Sequence, residues 1–231
     1  MKNDGQSSVG RERFHTVKWA ELQTTQEIVD AAKVAFPQIK IDFDGVHVEY
    51  ARQMMQEMEV FQKFYPKTIA QIHSIQPGDR ENFAMSAGDN GGIYHLTYNR
   101  MRSRSDPVEL NRVKEQYYRK GFLTGKTFRE TVRHELFHTV HYQILHNHPQ
   151  QAKELDRLLD KTYHEAVLYK MQYDRELYSQ YAMKIRQGGS PLLRYTELHS
   201  EMGVLMWKGS QKAHIRELRK IHKELQRQGV L

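Results

Sequence analysis

The segment TFRETVRHELFHTVHYQ, residues 127–143, contains two histidines and a glutamate at a spacing that allows them to act together. His134 and His138 are four residues apart, which on a helix places them about 40° apart on one face, one turn from each other. Two imidazoles in this arrangement can bind one zinc ion, and Glu135 on the adjoining face can act on a water molecule as a general base. The H-E-x-x-H pattern also arises by chance, so the rest of the chain has to decide between a zinc site and an ordinary helix surface.

A catalytic zinc ion takes three protein ligands and keeps one position open, so a third ligand must come from elsewhere in the chain. Glu197 and Glu201, in RYTELHSEMGVLMW, are four residues apart on one helical face and lie among apolar residues. A second helix packed across the first could present one carboxylate to the metal while the other orients a ligand histidine. Glu197 is the favoured ligand, with Glu201 as the alternative. His141 and His199 are weaker candidates, because His141 belongs to the same helix as the pair and His199 lies off the glutamate face.

The composition limits the other readings of the chain. None of the 231 residues is cysteine, which excludes disulfides and cysteine–zinc sites, so any metal site must use His, Asp or Glu. The net charge of +7 is compatible with acidic partners such as nucleic acid, although a solvated basic surface is favoured. A nucleic-acid-binding protein with an accidental motif is therefore a third, weaker hypothesis. The sequence contains no long apolar run and no leader-like N-terminus, which predicts a soluble protein, cytoplasmic or phage-associated, without a signal peptide.

The motif itself has the features of a buried helix. Thr127 and Glu130 form a T-x-x-E capping box at the start of the predicted helix 127–146. Apolar side chains on its other faces would bury it, namely Val132, Leu136, Phe137 and Val140. The motif histidines are therefore expected on a packed helix rather than on a loop.

The order of the remaining elements follows from the hydrophobic periodicity. Helices are predicted at 24–36, 46–65, 106–122, 149–171, 174–186, 190–207 and 211–228, and strands at 39–45, 68–75, 82–87 and 91–99. The last two strands could form a hairpin. Helices, then a small sheet, then more helices predict an α+β fold, mostly helical, with a small mixed sheet whose edge strand lies beside the motif helix.

The segment GGIYHLTYN, residues 91–99, is the expected edge strand. Peptidases with this motif hold an extended substrate through main-chain hydrogen bonds to such a strand, and its two leading glycines would allow close approach of another backbone. We therefore expect substrate contacts at Gly92, Ile93, Tyr94 and His95. In domain terms, residues 1–12 are expected to be mobile, 13–208 to form the catalytic domain, and 209–231 to form a basic helix packed on it.

Taken in order, these features resemble the gluzincin-type metallopeptidase domain of anthrax lethal factor and related domains of phage minor head proteins and bacterial polymorphic toxins. The resemblance covers residues 60–208 and consists of a Gly-flanked strand ending in Tyr-Asn, the TVRHELFH helix and a later E-x-x-x-E helix. It implies a zincin-like fold and a zinc-dependent endopeptidase, phage-encoded or of toxin type, acting on a protein or peptide. The zinc ligands would be His134, His138 and Glu197, with Glu135 as the general base and Glu201 supporting the site.

The chain departs from that family in two places. ELHSE replaces the more apolar E-F-F-A-E, and position 190, where the family commonly has a tyrosine, is serine. Tyr195, two residues before Glu197, and Tyr181, sixteen residues before it, are the candidates for the group that stabilises the oxyanion, and Tyr195 is the residue we assign to catalysis. These departures keep an alternative open, a catalytically weak or inactive zincin-fold module with a structural or binding role in a phage head or toxin assembly.

Overall fold

The structure is a computed structural model that describes residues 17–78, 85–121, 125–183 and 194–231. Up to residue 99, the chain contains α1 (Thr25–Ala35), β1 (Lys40–Ile41), α2 (Val48–Gln62), α3 (Pro66–Ala70), β2 (Ile72–Gly78), β3 (Met85–Asn90) and β4 (Ile93–Asn99). After residue 99, it contains α4 (Pro107–Arg119), α5 (Phe128–Asn147), α6 (Pro149–Tyr173), α7 (Thr196–Trp207) and α8 (Ala213–Arg227). The predicted α+β class is confirmed. The predictions for residues 1–12, 82–84, 184–186 and 190–193 lie outside the described residues.

The four strands form one mixed sheet in the order β1-β2-β4-β3. β1 and β4 both pair with β2 in parallel, and β3 pairs with β4 in an antiparallel hairpin in which Asn90 is opposite Ile93. Gly91 and Gly92 make the turn with φ angles of 62° and 89°, values that L-residues with side chains rarely adopt. The predicted hairpin is therefore confirmed.

The prediction that residues 91–99 form the edge strand is wrong. β4 is paired on both sides, so a peptide has no free main-chain edge along it, and Gly92, Ile93, Tyr94 and His95 lose the basis of their assignment as substrate contacts. Tyr94 is fully buried, and the Nδ1 of His95 is 2.8 Å from the Ser74 hydroxyl. The edge strand beside α5 is β3, whose MSAGDN sequence is poor in the residue types that strands prefer and therefore gives a weak pattern.

Two other segments differ from their predicted structure. Residues 68–70, predicted as the start of the strand 68–75, belong to α3 (Pro66–Ala70) instead, because Pro66 at the first helical position favours a helix start. The predicted helix 174–186 is not present over 174–183: Asp174 ends α6 with a left-handed φ of 49°, and turns follow it. No helix among the described residues has the length and apolar character needed to cross a membrane.

Helix α5 lies at the centre of the molecule because its apolar faces are covered on several sides. Its predicted capping box is present, with the Thr127 hydroxyl accepting from the Glu130 N–H and the Glu130 carboxylate accepting from the Thr127 N–H. The four apolar residues expected to bury it are all fully buried, namely Val132, Leu136, Phe137 and Val140. On the α2 side, the buried Glu57 carboxylate pairs with Arg129 at 3.0 Å and Arg133 at 2.5 Å. These contacts fix the rotation of the helix that carries the motif.

Helix α7 packs closely against α5 because of one glycine. A Cβ atom on Gly203 would lie 2.4 Å from Cγ of Phe137, a distance that side-chain carbons do not tolerate. Glycine at this position therefore allows the two helices to approach. α8 covers α7 and α6 with the residues of its predicted apolar stripe, which are all buried: Ile215, Leu218, Ile221 and Leu225.

Candidate metal centre

Three predicted ligands from α5 and α7 meet at one point, and we call them the metal triangle: His134, His138 and Glu197. Nε2 of His134 lies 3.0 Å from Oε2 of Glu197 and 3.1 Å from Nε2 of His138. The third side, from Nε2 of His138 to Oε2 of Glu197, is 3.3 Å. The two sequence segments that supply the triangle are separated by more than fifty residues, so the packing of α7 on α5 is what brings them together.

The triangle fits a metal ion better than it fits hydrogen bonds alone. Ligands about 2.0–2.1 Å from a zinc ion at tetrahedral angles lie about 3.3 Å from one another, close to the three sides observed. A neutral imidazole Nε2 can donate a single proton, whereas here each of two Nε2 atoms faces both the other and a carboxylate oxygen. Side chains of the triangle are 7–27% exposed, which leaves an approach from solvent. The residues can therefore hold a divalent cation with an accessible open side.

The general-base candidate lies between the triangle and the edge strand. The Glu135 carboxylate is buried and accepts a hydrogen bond from the Ala87 N–H of β3. Burial raises the pKa of Glu135, although the positive charges of His138 and His134 oppose the rise. A buried carboxylate with a raised pKa is a stronger base than one in water, which suits proton transfer at neutral pH.

Glu197 has the opposite electrostatic character. Burial by itself would raise the pKa of its carboxyl group, but the charge of His138 and the hydrogen bonds from both imidazoles outweigh burial and hold the pKa well below its usual value. Glu197 is therefore ionised over the whole neutral range. An ionised oxygen beside two imidazoles is the donor set that a zinc ion prefers.

The tyrosine beside the triangle is Tyr181, whereas Tyr195, the residue assigned to catalysis, has its hydroxyl bonded to another helix. The Tyr195 hydroxyl donates to Asp160 of α6 at 2.6 Å, and its ring lies against Tyr163, away from the triangle. The Tyr181 hydroxyl lies 3.4 Å from Oε1 of Glu197, with its ring 6.4 Å from that of His134. Tyr195 is close to Glu197 in sequence, but it precedes the first turn of α7 and faces α6.

Glu201 holds the segment that carries Tyr181. Its buried carboxylate accepts hydrogen bonds from the N–H of Ser179 at 2.9 Å and from the Ser179 hydroxyl at 2.5 Å. The same hydroxyl accepts from the Ala182 N–H at 3.1 Å. Glu201 lies one turn after Glu197, and these hydrogen bonds link it to the segment that carries Tyr181. Its predicted role toward a ligand histidine stays a prediction.

A second group of histidines, which the sequence did not reveal as a unit, consists of the next histidines along α5 and α7 and one from α8. We call it the histidine cluster: His141 of α5, His199 of α7 and His222 of α8, all at most 2% exposed. Nε2 of His199 is 3.1 Å from Nε2 of His222, and Nδ1 of His222 is 3.0 Å from the Tyr65 hydroxyl. The histidine at position 222 falls next to the apolar stripe of α8, which is the sequence feature that could have placed it inside.

No protein-family model matches this chain, and no curated protein or solved structure matches it either. The expectations that depend on the resemblance alone, including the phage or toxin setting, stay predictions.

Proposed function

We propose that this chain is a zinc-dependent endopeptidase with a zincin-like fold. The observation that supports the proposal most directly is the convergence of His134, His138 and Glu197 at separations of 3.0–3.3 Å, with Glu135 on the next helical position. Two imidazoles and one carboxylate at tetrahedral spacing favour zinc among the common divalent cations. A zinc ion held there would supply Lewis-acid chemistry, polarising a carbonyl and making water acidic enough to deprotonate near neutral pH.

The residues around the triangle have separate tasks in this proposal. Glu135 takes the proton of the attacking water and later delivers it to the leaving amine. Tyr181 donates a hydrogen bond from its hydroxyl to the oxygen of the substrate carbonyl, on which negative charge develops. The open edge of β3, the main-chain side that does not face β4, holds the substrate in an extended conformation through backbone hydrogen bonds.

The position of Tyr181 favours an active enzyme over an inactive module. The alternative depended on the absence of a tyrosine at the spacing seen in the resembling family. Tyr181 reaches Glu197 from a different part of the sequence, and Glu201 fixes the segment that carries it through Ser179. A purely structural site would have no need for a buried base and a tyrosine beside its carboxylate ligand.

Metal analysis of the purified protein tests the metal part of the proposal. After zinc loading and dialysis we expect about one zinc ion per chain in the wild type, loss of the metal in Glu197→Ala, and retention in Glu201→Ala at lower affinity. Outer-shell changes of this kind weaken metal binding by about 10- to 100-fold. A wild-type protein that holds no zinc after loading would contradict the proposal.

Peptide cleavage tests the catalytic part. Glu135→Gln keeps the shape of the side chain and lies outside the triangle, so we expect it to retain zinc while cleavage of denatured proteins falls by about 10²–10⁴-fold or more. Normal cleavage by this variant would show that Glu135 is not the base. Zinc binding without cleavage in the wild type would support the structural alternative instead.

A further inference from the structure

A half-buried lysine lies at the N-terminal end of α5, and none of the described carboxylates is paired with it. Lys114 is on α4, one turn from Asn111, whose side-chain oxygen accepts a 2.7 Å hydrogen bond from the Phe128 N–H. The Lys114 ammonium donates one long hydrogen bond, 3.5 Å, to the Thr127 carbonyl. Within the described parts of the chain, no carboxylate lies within ion-pair distance of this ammonium.

The two carboxylates whose charges act on Lys114, those of Glu130 and Glu135, have other partners. Glu130 is paired with Lys208 at 2.7 Å and accepts from the backbone at the start of α5. Glu135 faces β3 and the metal triangle. Both carboxylates act on Lys114 only over a longer distance, and the positive charge of Arg102 opposes them. Among the described residues, the ammonium therefore has no paired counter-ion.

Burial lowers the pKa of Lys114 to about 8, with the attraction of Glu135 and Glu130 acting in the other direction. The side chain is still mostly protonated at neutral pH. A cation that is half removed from water without a paired anion destabilises the fold, since its desolvation is not compensated. Groups in this situation cluster at functional sites, where a ligand supplies the missing partner.

The open edge of β3 leads to this lysine. Ala87 lies beside Glu135, and Asp89, further along β3, pairs with His146 near the end of α5 at 2.5 Å. β3 and α5 therefore run side by side in the same direction. β3 begins at Met85. That end of the strand is the one nearer the first turn of α5, where Lys114 lies.

We propose that Lys114 binds an acidic side chain of the peptide substrate, on the side of the scissile bond that faces the N-terminus of α5. This inference rests on the proposed peptidase function and specifies its substrate class. Thr127 precedes His134 by seven residues, which is about 10 Å along a helix, and an extended peptide advances about 3.3 Å per residue. The preferred acidic residue therefore lies two or three positions from the cleaved bond.

Matched peptides test this specificity. From a random octapeptide mixture, the best-cleaved sequence is remade with Glu or the isosteric Gln at each position in turn, and kcat/KM is measured for every pair. One position should favour Glu by about 10- to 100-fold, the range expected for one charge-assisted contact. Lys114→Gln should remove that preference while cleavage of the Gln peptides is retained, Lys114→Arg should keep most of it, and Lys114→Glu should favour Lys at the same position.

Arg112→Gln is the control, because it removes the same charge from the opposite, exposed face of α4. A Glu preference that persists in Lys114→Gln, or no Glu preference in the wild type, would overturn the assignment of Lys114 and leave the peptidase proposal intact.

Binding separates this inference from the peptidase proposal. Fluorescein-labelled forms of alanine-based octapeptides with one Glu or one Gln are titrated into zinc-loaded Glu135→Gln protein, with and without Lys114→Gln. Tighter binding of the Glu peptide that disappears with Lys114→Gln supports the inference even if no peptide is cleaved. Equal binding of both peptides overturns it, whereas failure of the wild type to cleave any peptide counts against the peptidase proposal alone.

Discussion

The metal triangle and the histidine cluster both use side chains of α5 and α7 that lie close together along those helices, yet their surroundings differ in two respects. The triangle includes the carboxylate of Glu197 and is partly open to solvent. The cluster has a third imidazole and the Tyr65 hydroxyl instead, and its members are at most 2% exposed. Among the described residues, the triangle is the group whose donor atoms converge as metal ligands.

The electrostatic consequences separate the two groups further. In the cluster, burial and the neighbouring imidazoles lower the pKa values of His199 and His222, so both are neutral. They are hydrogen-bonded to each other, and His222 is also bonded to Tyr65. In the triangle, two imidazoles hold Glu197 ionised. Histidines on one helix thus become ligands where a carboxylate and an opening are present, and become hydrogen-bonded core residues where both are missing.

The largest expected effect comes from removing one member of the triangle. His138→Ala should abolish stoichiometric zinc, a greater loss than the 10- to 100-fold weakening typical of groups behind the ligands. His222→Gln, in the cluster, should leave about one zinc per chain. Metal content and zinc affinity of the two purified variants check the comparison, and equal metal loss in both would mean that the two groups are not functionally distinct.

The next effect concerns Tyr181 and Tyr195, the two candidates for the tyrosine that stabilises the oxyanion. Tyr181→Phe should retain zinc and lower kcat by about 10²–10³-fold, as for the loss of one donor to a developing oxyanion. Tyr195→Phe should leave kcat unchanged and reduce the free energy of unfolding by about 1 kcal/mol, because its bond to Asp160 is structural. Steady-state kinetics and denaturant unfolding of both variants test this, and a rate loss confined to Tyr195→Phe would restore the original assignment.

The triangle could be predicted from the sequence because its parts are locally encoded. The spacing of His134 and His138 and that of Glu197 and Glu201 each fit one helical face, and the apolar residues around them show that the faces are buried. The identity of the edge strand could not be predicted in this way, because alternation does not say which strands pair on both sides. Tyr181 was missed as the favoured residue since an irregular segment, and not a helical repeat, brings it to Glu197.

The histidine cluster illustrates the same limit at longer range. His141 and His199 lie on helices whose buried faces were predicted, but His222 comes from a helix that could pack in several ways. Only the packing of α8 against α7 brings His222 to His199 and Tyr65. Contacts within one helix are set by its periodicity, whereas contacts between three helices depend on the fold as a whole.

A smaller effect is expected from separating the two helices that both groups share. In Gly203→Ala, the added methyl group would meet the Phe137 ring at 2.4 Å. Overpacking of this kind costs about 1–3 kcal/mol and exceeds the gain of up to about 1 kcal/mol in helix propensity. Zinc affinity should also fall, because Glu197 moves with α7.

Ser200→Ala is the matched control for Gly203→Ala. It adds no volume to the same helix and removes a buried hydroxyl that has no hydrogen-bond partner among the described residues. Its stability and zinc affinity should stay close to those of the wild type. Thermal unfolding and zinc titration compare the two variants, and an unchanged Gly203→Ala protein would show that the α5–α7 contact can relax without moving the ligand.

The last comparison concerns the pH dependence of stability that the buried, neutral His222 of the cluster should produce. Burial, reinforced by His141, lowers the pKa of His222 from 6.5 to about 3 in the folded protein. As the pH falls below 6.5, the unfolded chain therefore takes up a proton at this position that the folded chain does not, and stability decreases by about 1.4 kcal/mol per pH unit down to about pH 3. His222→Gln should be less stable than wild type at pH 7.5, where Tyr65 and His199 lose a partner, but the difference should narrow between pH 6 and pH 4.

Urea unfolding across this range measures the slope, with the exposed His164→Gln as control. If the free energies of unfolding of the wild type and of His222→Gln change in parallel with pH, then His222 takes up its proton in the folded state as it does in the unfolded chain. The cluster would then not be the neutral counterpart of the triangle.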